Sequence, residues 1–255
     1  MDMAMRIYKL HAFILHPLLG KLSYCILDIY MTVAGVKTPE VYVDGVLFQL
    51  LDNELTVLLT QRTRSPFKGQ WALPGGPDPI KQTTYQAMSH WVKEKTGVKV
   101  DKLGFIEQLY SFDTVVGNPD GPAISVVYMG AGRDIIPKAT PITRNSQFFP
   151  VSSLPELAFD HNEIIRYAHD RLRAKLSYTN AVFAMIPKLF TLSQLQSAYE
   201  AVLGEKLDKR NFRKKFLSLG LVHPTGELHM EGAHRPARLY KFNEQTLEYL
   251  SRSFD

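Results

Sequence analysis

The stretch "GGPDPIKQTTYQAMSHWVKEKTGV", residues 75–98, decides how the rest of the chain is read. Glycines and prolines open it as a loop, and from about Thr83 to Thr96 nothing breaks a helix. Gly97 then stands where a helix needs a left-handed residue to stop. Tyr85, Met88 and Val92 recur at helical spacing and predict the buried stripe. A helix that holds magnesium beside a diphosphate needs carboxylates at i, i+3 and i+4, on one face. At 91, 94 and 95 this helix offers Trp, Glu and Lys. Only Glu94 can ligate, and Lys95 puts a positive charge where the cation would sit.

Outward from that helix the pattern alternates. "VYVDGVLFQL" (41–50) and "LTVLLTQR" (55–62) predict two strands joined at Asp52-Asn53-Glu54. A loop with Pro66, Gly69 and Pro74 leads into the helix. Beyond it, "KLGFIEQLYSF" (102–112) and "AISVVYMGAG" (123–132) predict strands on either side of the turn-rich "GNPDGP". "QFFPVSSLPELAFD" (147–160) reads as a last short strand and a loop, followed by a helix over 162–176. These elements make a mixed sheet flanked by helices over roughly 40–175.

The last eighty or so residues change character. Thr191 and Gln194 form a capping box opening "LSQLQSAYEAVLG", and Asp208 caps "KRNFRKKFLSLG", which Gly220 ends. "LVHPTGELHMEGAHRPARLYKF" then offers two short strands around a loop. Helix, turn, helix and hairpin is the order of a winged helix-turn-helix. Lys209 to Lys215 hold five basic residues in seven positions. Phe212, Phe216 and Leu219 would face inward, which turns Arg210 and Lys214 outward with Asn211 and Arg213 at the flanks. Cations for phosphate, and Arg and Asn for base edges, are what a major-groove helix needs. Arg235 and Arg238 would extend that surface onto the wing. The DNA-contact candidates are therefore Lys209, Arg210, Asn211, Arg213, Lys214, Arg235 and Arg238. A basic run is also what a solvated face looks like, and Glu227 and Glu231 oppose indiscriminate polyanion binding.

Composition sets the outer bounds. The 255 residues are 45% hydrophobic and 22% charged, with formal charge +5. A single cysteine, Cys25, excludes a disulfide framework and a cysteine-based zinc site. In the first thirty residues Lys9, His11, His16, Pro17, Lys21 and Asp28 interrupt every apolar run, so no membrane helix is expected. Translation starting at Met31 is an alternative reading of that segment. The expected division is an N-terminal extension over 1–38, the sheet domain over 39–175 and the winged helix over 176–255, in a cytoplasmic protein.

The frame of residues 76–98 resembles the Nudix box, G-x5-E-x7-R-E-U-x-E-E-x-G-U, and "PFKGQWALPGG" before it resembles the approach to a Nudix helix. Gln82 replaces the first Glu, His90-Trp91 the Arg-Glu pair, and Lys95 the last Glu. Gln82 and His90 could still hydrogen-bond as the missing ion pair does. Together with "LAFDH", "FTLSQLQSAYEAVLG", "NFRKKFLSLGLV" and "RPARLY", the chain resembles the NrtR family of Nudix-related transcriptional regulators. That resemblance implies an α/β (α+β) fold, a Nudix-like mixed sheet plus a C-terminal winged helix-turn-helix. It further implies a homodimeric repressor on a double-stranded DNA operator, often of NAD-metabolism genes. Its Nudix domain would sense an ADP-ribose-like or sugar-derived effector without hydrolysis, metal or cofactor. By position, Arg62, Phe67, Trp71, Gly75, Gly76 and Phe112 would line the ligand cleft. For Phe67 and Trp71 plain core packing is the rival reading. "GGPDP" and "DTVVGNPDGP" depart from the family's usual residues at those places. Two other readings stay open: a Nudix hydrolase working through Glu94, Glu107 and Asp113, and a module whose winged helix binds protein.

Overall fold

The computed structural model describes residues 39–79, 81–113, 121–143, 145–230 and 236–250. The expected extension over 1–38, the alternative start and wing residue Arg235 lie outside them, as do residues 114–120. Strand β1 (Glu40–Leu51) and β2 (Glu54–Gln61) form the hairpin. Its turn, Asp52-Asn53, takes positive φ at both residues (49° and 62°). Asp and Asn tolerate that region better than other side chains, and two such residues turn a hairpin tightly. β3 (Trp71–Ala72) and β4 (Gly75–Pro77) follow, then helix α1 (Thr84–Thr96). The α1 start is a capping box between Thr83 and Gln86, and Gly97 ends it at φ 70°.

β5 (Phe105–Asp113), β6 (Ala123–Ala131) and β7 (Ser146–Pro150) complete a seven-stranded sheet of order β3-β2-β1-β6-β5. β4 pairs with β1 and β7 with β2. The β1–β6 contact is parallel and the others are antiparallel, so the sheet is mixed as expected. β1 alternates Val43 and Leu47 toward one face with Val46 and Phe48 toward the other. The first pair meets Ala87, Met88 and Val92 of α1. Tyr85, expected in that stripe, is exposed and lies edge-on to Tyr128, because Ala87 takes the inward position. The opposite face is covered by α2 (His161–Tyr178) through Ile164, Ile165, Ala168, Leu172 and Leu176.

The C-terminal part comprises β8 (Phe190–Thr191), α3 (Leu192–Leu203), α4 (Lys209–Ser218), β9 (Val222–His229) and β10 (Ala237–Phe242), with sheet order β8-β10-β9. The Thr191–Gln194 capping box and the Asp208 cap are both present. Phe190, Tyr199, Phe212, Phe216 and Phe242 form its centre. They belong to the same continuous core as the sheet's α2 face. Where the halves meet, Lys175 is 2% exposed and its ammonium donates to Glu107 on β5 at 2.9 Å. Rings of Phe105, Tyr178 and Tyr249 surround it at 5.7–5.9 Å. Asn180 then clamps the returning C-terminal segment through Thr246 and Glu248.

Candidate functional site

Between the α1 side of the sheet and the start of α2 lies a cleft of about 430 Å³. Its walls come from β1 (Tyr42, Asp44), the loop after β2 (Arg62 to Pro66), β4, α1 (Trp91, Lys95) and the entry to α2 (Phe159 to His161). Two glycines let the wall form. A Cβ on Gly75 would collide with the Asp44 carboxylate, and one on Gly76 would meet the Trp91 indole at 2.5 Å. The backbone of β3 and of the residue after it aligns the far wall: Ala158 N–H donates to Trp71 O at 2.8 Å, and Leu73 N–H to His161 Nδ1 at 2.9 Å.

The cleft's electrostatics follow from burial. His161 accepts a hydrogen bond at Nδ1, so its proton resides on Nε2, and burial pushes its pKa down, keeping it neutral. Burial raises the pKa of Asp160, whose Oδ1 is enclosed without a hydrogen-bond partner. Asp44, 7% exposed, accepts from the Ser125 hydroxyl. Burial lowers the pKa of Lys95; Asp44 opposes that shift while Arg62 and Arg64 add to it. At the rim, Phe67 and Phe159 both hold positive φ (59° and 57°) and meet edge to face at 4.8 Å. The Arg62 guanidinium lies 4.7 Å over the Phe159 ring and donates from Nε to Pro66 O. Aromatic residues seldom adopt that backbone region, and such strain concentrates where function fixes the geometry.

Of the residues expected at the ligand, Arg62, Gly75 and Gly76 line the cleft. Phe67 stands behind Phe159. The Trp71 indole packs on Phe149, and Phe112 joins Tyr110 and Tyr167 in a separate aromatic group. Neither of those two is among the lining residues. Asp44, Ser125, Phe159, Asp160 and His161 were not singled out from sequence; the only signal was "LAFDH", a polar pair where a strand-loop opens a helix. Gln82 and His90 are exposed and do not join each other; the loop is held instead by Trp91 Nε1–H donating to Pro77 O at 2.9 Å.

A Nudix box implies a divalent metal, and the residues present do not fit one. The indole of Trp91 fills the helix face over Gly76, and the Lys95 ammonium lies 5.7 Å above its ring. Among the described residues no group of three or more His, Cys, Asp or Glu side chains could hold a metal. Of the alternative acids, Glu107 is engaged by Lys175, and neither Glu94 nor Asp113 lines the cleft.

On α4, Lys209, Arg210, Asn211 and Lys214 are exposed, as is Arg238 on β10. Arg213 is half-buried, donates to Ser193 Oγ at 3.1 Å and keeps Nε enclosed without a partner. The structure thus turns one of the expected DNA contacts toward α3. No helix of the described residues is long and apolar enough to cross a membrane.

Comparison with known proteins gives two family matches: a NUDIX domain over residues 41–168 and an NrtR DNA-binding winged helix domain over 182–242. The chain is 32% identical over 217 residues to the ADPR-responsive transcriptional repressor NtrR of Acinetobacter baylyi, covering 83% of this chain and 85% of that one. Over 131 residues it is 37% identical to an ADP-ribose pyrophosphatase of Methanocaldococcus jannaschii, covering 50% of this chain and 72% of the relative. The crystal structure of Shewanella oneidensis NrtR with a 27mer DNA superposes with a TM-score of 0.69 at 30% identity, covering 84% of this chain and 99% of that one. The mixed sheet, the capped helix over the glycine pair and the winged helix behind it are one pattern: this chain belongs to the NrtR family, Nudix domain joined to a DNA-binding winged helix.

Proposed function

We propose that the protein is a DNA-binding transcriptional repressor whose Nudix cleft binds an ADP-ribose-type nucleotide and does not hydrolyse it. The observation that carries this reading is Trp91 and Lys95 on the face where a hydrolase needs carboxylates, in a chain that also presents Arg210, Asn211 and Lys214 from a winged helix. Lys209, Arg210, Lys214 and Arg238 would neutralise phosphates, with Asn211 and Arg210 placed for base edges. Arg213 would act mainly as a brace, since one of its guanidinium N–H groups donates to Ser193 and the side chain is turned toward α3. The working unit would be a homodimer reading a two-fold operator in the cytoplasm, and genes of NAD metabolism are the expected targets.

Ligand control requires that the effector bind one dimer geometry more tightly than another. α2 offers a physical link, since its first residue, His161, faces the cleft and Lys175 near its end packs at the junction with the winged helix. Continuous packing along one helix is the support for that link. A gel shift with the DNA upstream of the protein's own gene tests the reading. Bound DNA should be released as ADP-ribose is added, and ADP-ribose should be recovered intact. Unchanged DNA affinity at millimolar ADP-ribose removes that effector, and brisk metal-dependent release of AMP restores the hydrolase reading.

A further inference from the structure

We infer that Lys95 is the cleft's resident counter-cation: with Arg62 and Arg64 it takes the electrostatic place of a divalent metal and holds a phosphate or diphosphate group without one. The inference rests on reading the cleft as a nucleotide site, and concerns how this chain's own residues meet the ligand's anionic part.

Lys95 occupies the helix face where a Nudix enzyme carries carboxylates, and its position is held from several sides. Its carbonyl accepts from the Ser146 hydroxyl on β7 at 3.0 Å. The Trp91 ring supports its ammonium, and that ring is pinned by Pro77 O and seated on Gly76. Arg62 and Arg64 line the same cleft and act on Lys95 as like charges. Asp44 attracts it, with its carboxylate already accepting from Ser125.

Gathering Lys95, Arg62 and Arg64 around one partly enclosed space works against the empty protein, because like charges repel more strongly where water is excluded. An entering phosphate relieves that repulsion and gains charge-assisted hydrogen bonds from ammonium and guanidinium donors. A free divalent cation would meet only repulsion from the same groups. The substitution at 95 therefore inverts the site's preference, from an anion reached through a metal to an anion reached directly.

The test is calorimetric titration of the full-length protein with ADP-ribose and with inorganic pyrophosphate, each in EDTA and in magnesium. Both anions should bind in EDTA, with no tightening when magnesium is supplied. Lys95→Gln should weaken each by about ten- to a hundredfold, the range for losing a hydrogen bond to a charged group, and Lys95→Arg should retain most of the affinity. A side chain that merely packs on Trp91 would give Lys95→Gln a lower melting temperature and unchanged affinity for both anions, which overturns the inference. Binding that appears only with magnesium, or absence of binding to either anion in EDTA, also overturns it, and needs no variant to be seen. Pyrophosphate bound through Lys95 with ADP-ribose ignored would uphold the inference and remove ADP-ribose as the effector.

Discussion

Helix α1 keeps Lys95 half-buried over an indole, whereas helix α4 sends Arg210 and Lys214 into open solvent. Both helices are capped by side chains at their starts and both bury an apolar stripe, α1 against the sheet and α4 against Tyr199 of α3 and Phe242 of β10. The surrounding dielectric separates them. A cation in a partly dry cleft interacts with one small anion by contact, and its protonation is itself under strain. Cations on a solvated ridge act through a screened field on a long polyanion, and each is worth little alone. On the proposed reading, placement more than residue type would make one helix a sensor and the other a reader.

The largest effect should come from emptying the reader. Arg210→Ala, Asn211→Ala and Lys214→Ala together should lower operator affinity by about a hundredfold or more, since single base contacts are worth about 1–3 kcal/mol. The salt dependence of DNA binding should flatten by about one unit of slope for each phosphate contact removed. Fluorescence anisotropy reads both, and calorimetry should find ADP-ribose binding unchanged. A triple variant that binds DNA normally would dissolve the contrast between the helices.

Next in size is the junction through which the two regions would communicate. Glu107→Gln leaves the Lys175 ammonium enclosed without its carboxylate. The usual cost of breaking a buried pair is about 3–5 kcal/mol. Glu107 is 30% exposed, so about 2 kcal/mol is the fitting expectation for urea melts. Lys175→Met should cost less, because it removes the buried charge itself.

Gly76→Ala probes the sensor wall. Its methyl would enter the Trp91 ring, which a hydrogen bond to Pro77 O holds in place, at an overpacking cost of about 1–2 kcal/mol in thermal melts. It should weaken ligand binding and spare DNA binding by the isolated reader surface.

The smallest effects are in pH, and they fall in different windows for the two regions. His161 has its folded pKa below its ordinary 6.5, so its contribution is complete above 6.5 and is lost as pH falls from there through the lower folded value. Glu200, on α3, accepts from Lys206, Leu207 N–H and Gln196, which hold its pKa down to about 2 from 4.5. Its contribution is complete above 4.5 and disappears as pH falls toward 2. His161→Asn should therefore flatten the melting-temperature profile in the upper window and Glu200→Gln in the lower one.

Much of this could be read from local signals. The hairpin turn at Asp52-Asn53, the Gly97 stop, the Thr191–Gln194 box and the Asp208 cap act within a few residues, and each element formed where they place it. The cleft was legible only in part. Arg62, Gly75 and Gly76 sit in a motif that borders it, but Phe112 and Trp71 point their rings into other packing. Phe149 on β7 and Tyr167 on α2, far away in the chain, set where those rings go, and sequence spacing does not encode such partners.

Sequence alone determined the order of the helices and longer strands, the loss of carboxylates from α1 and the basic run on α4, because periodicity, capping and charge are properties of short segments. The short strands β3, β4 and β8 are set by pairing with distant strands, and local signals there read as loop or predict no strand. Tertiary structure alone decided that Asp44, Lys95 and His161 share one cleft, that Arg213 turns back onto Ser193, and that Lys175 is enclosed with Glu107. Those outcomes depend on groups far apart in the chain being brought out of water together, and the energy of a charge is set by what surrounds it after folding.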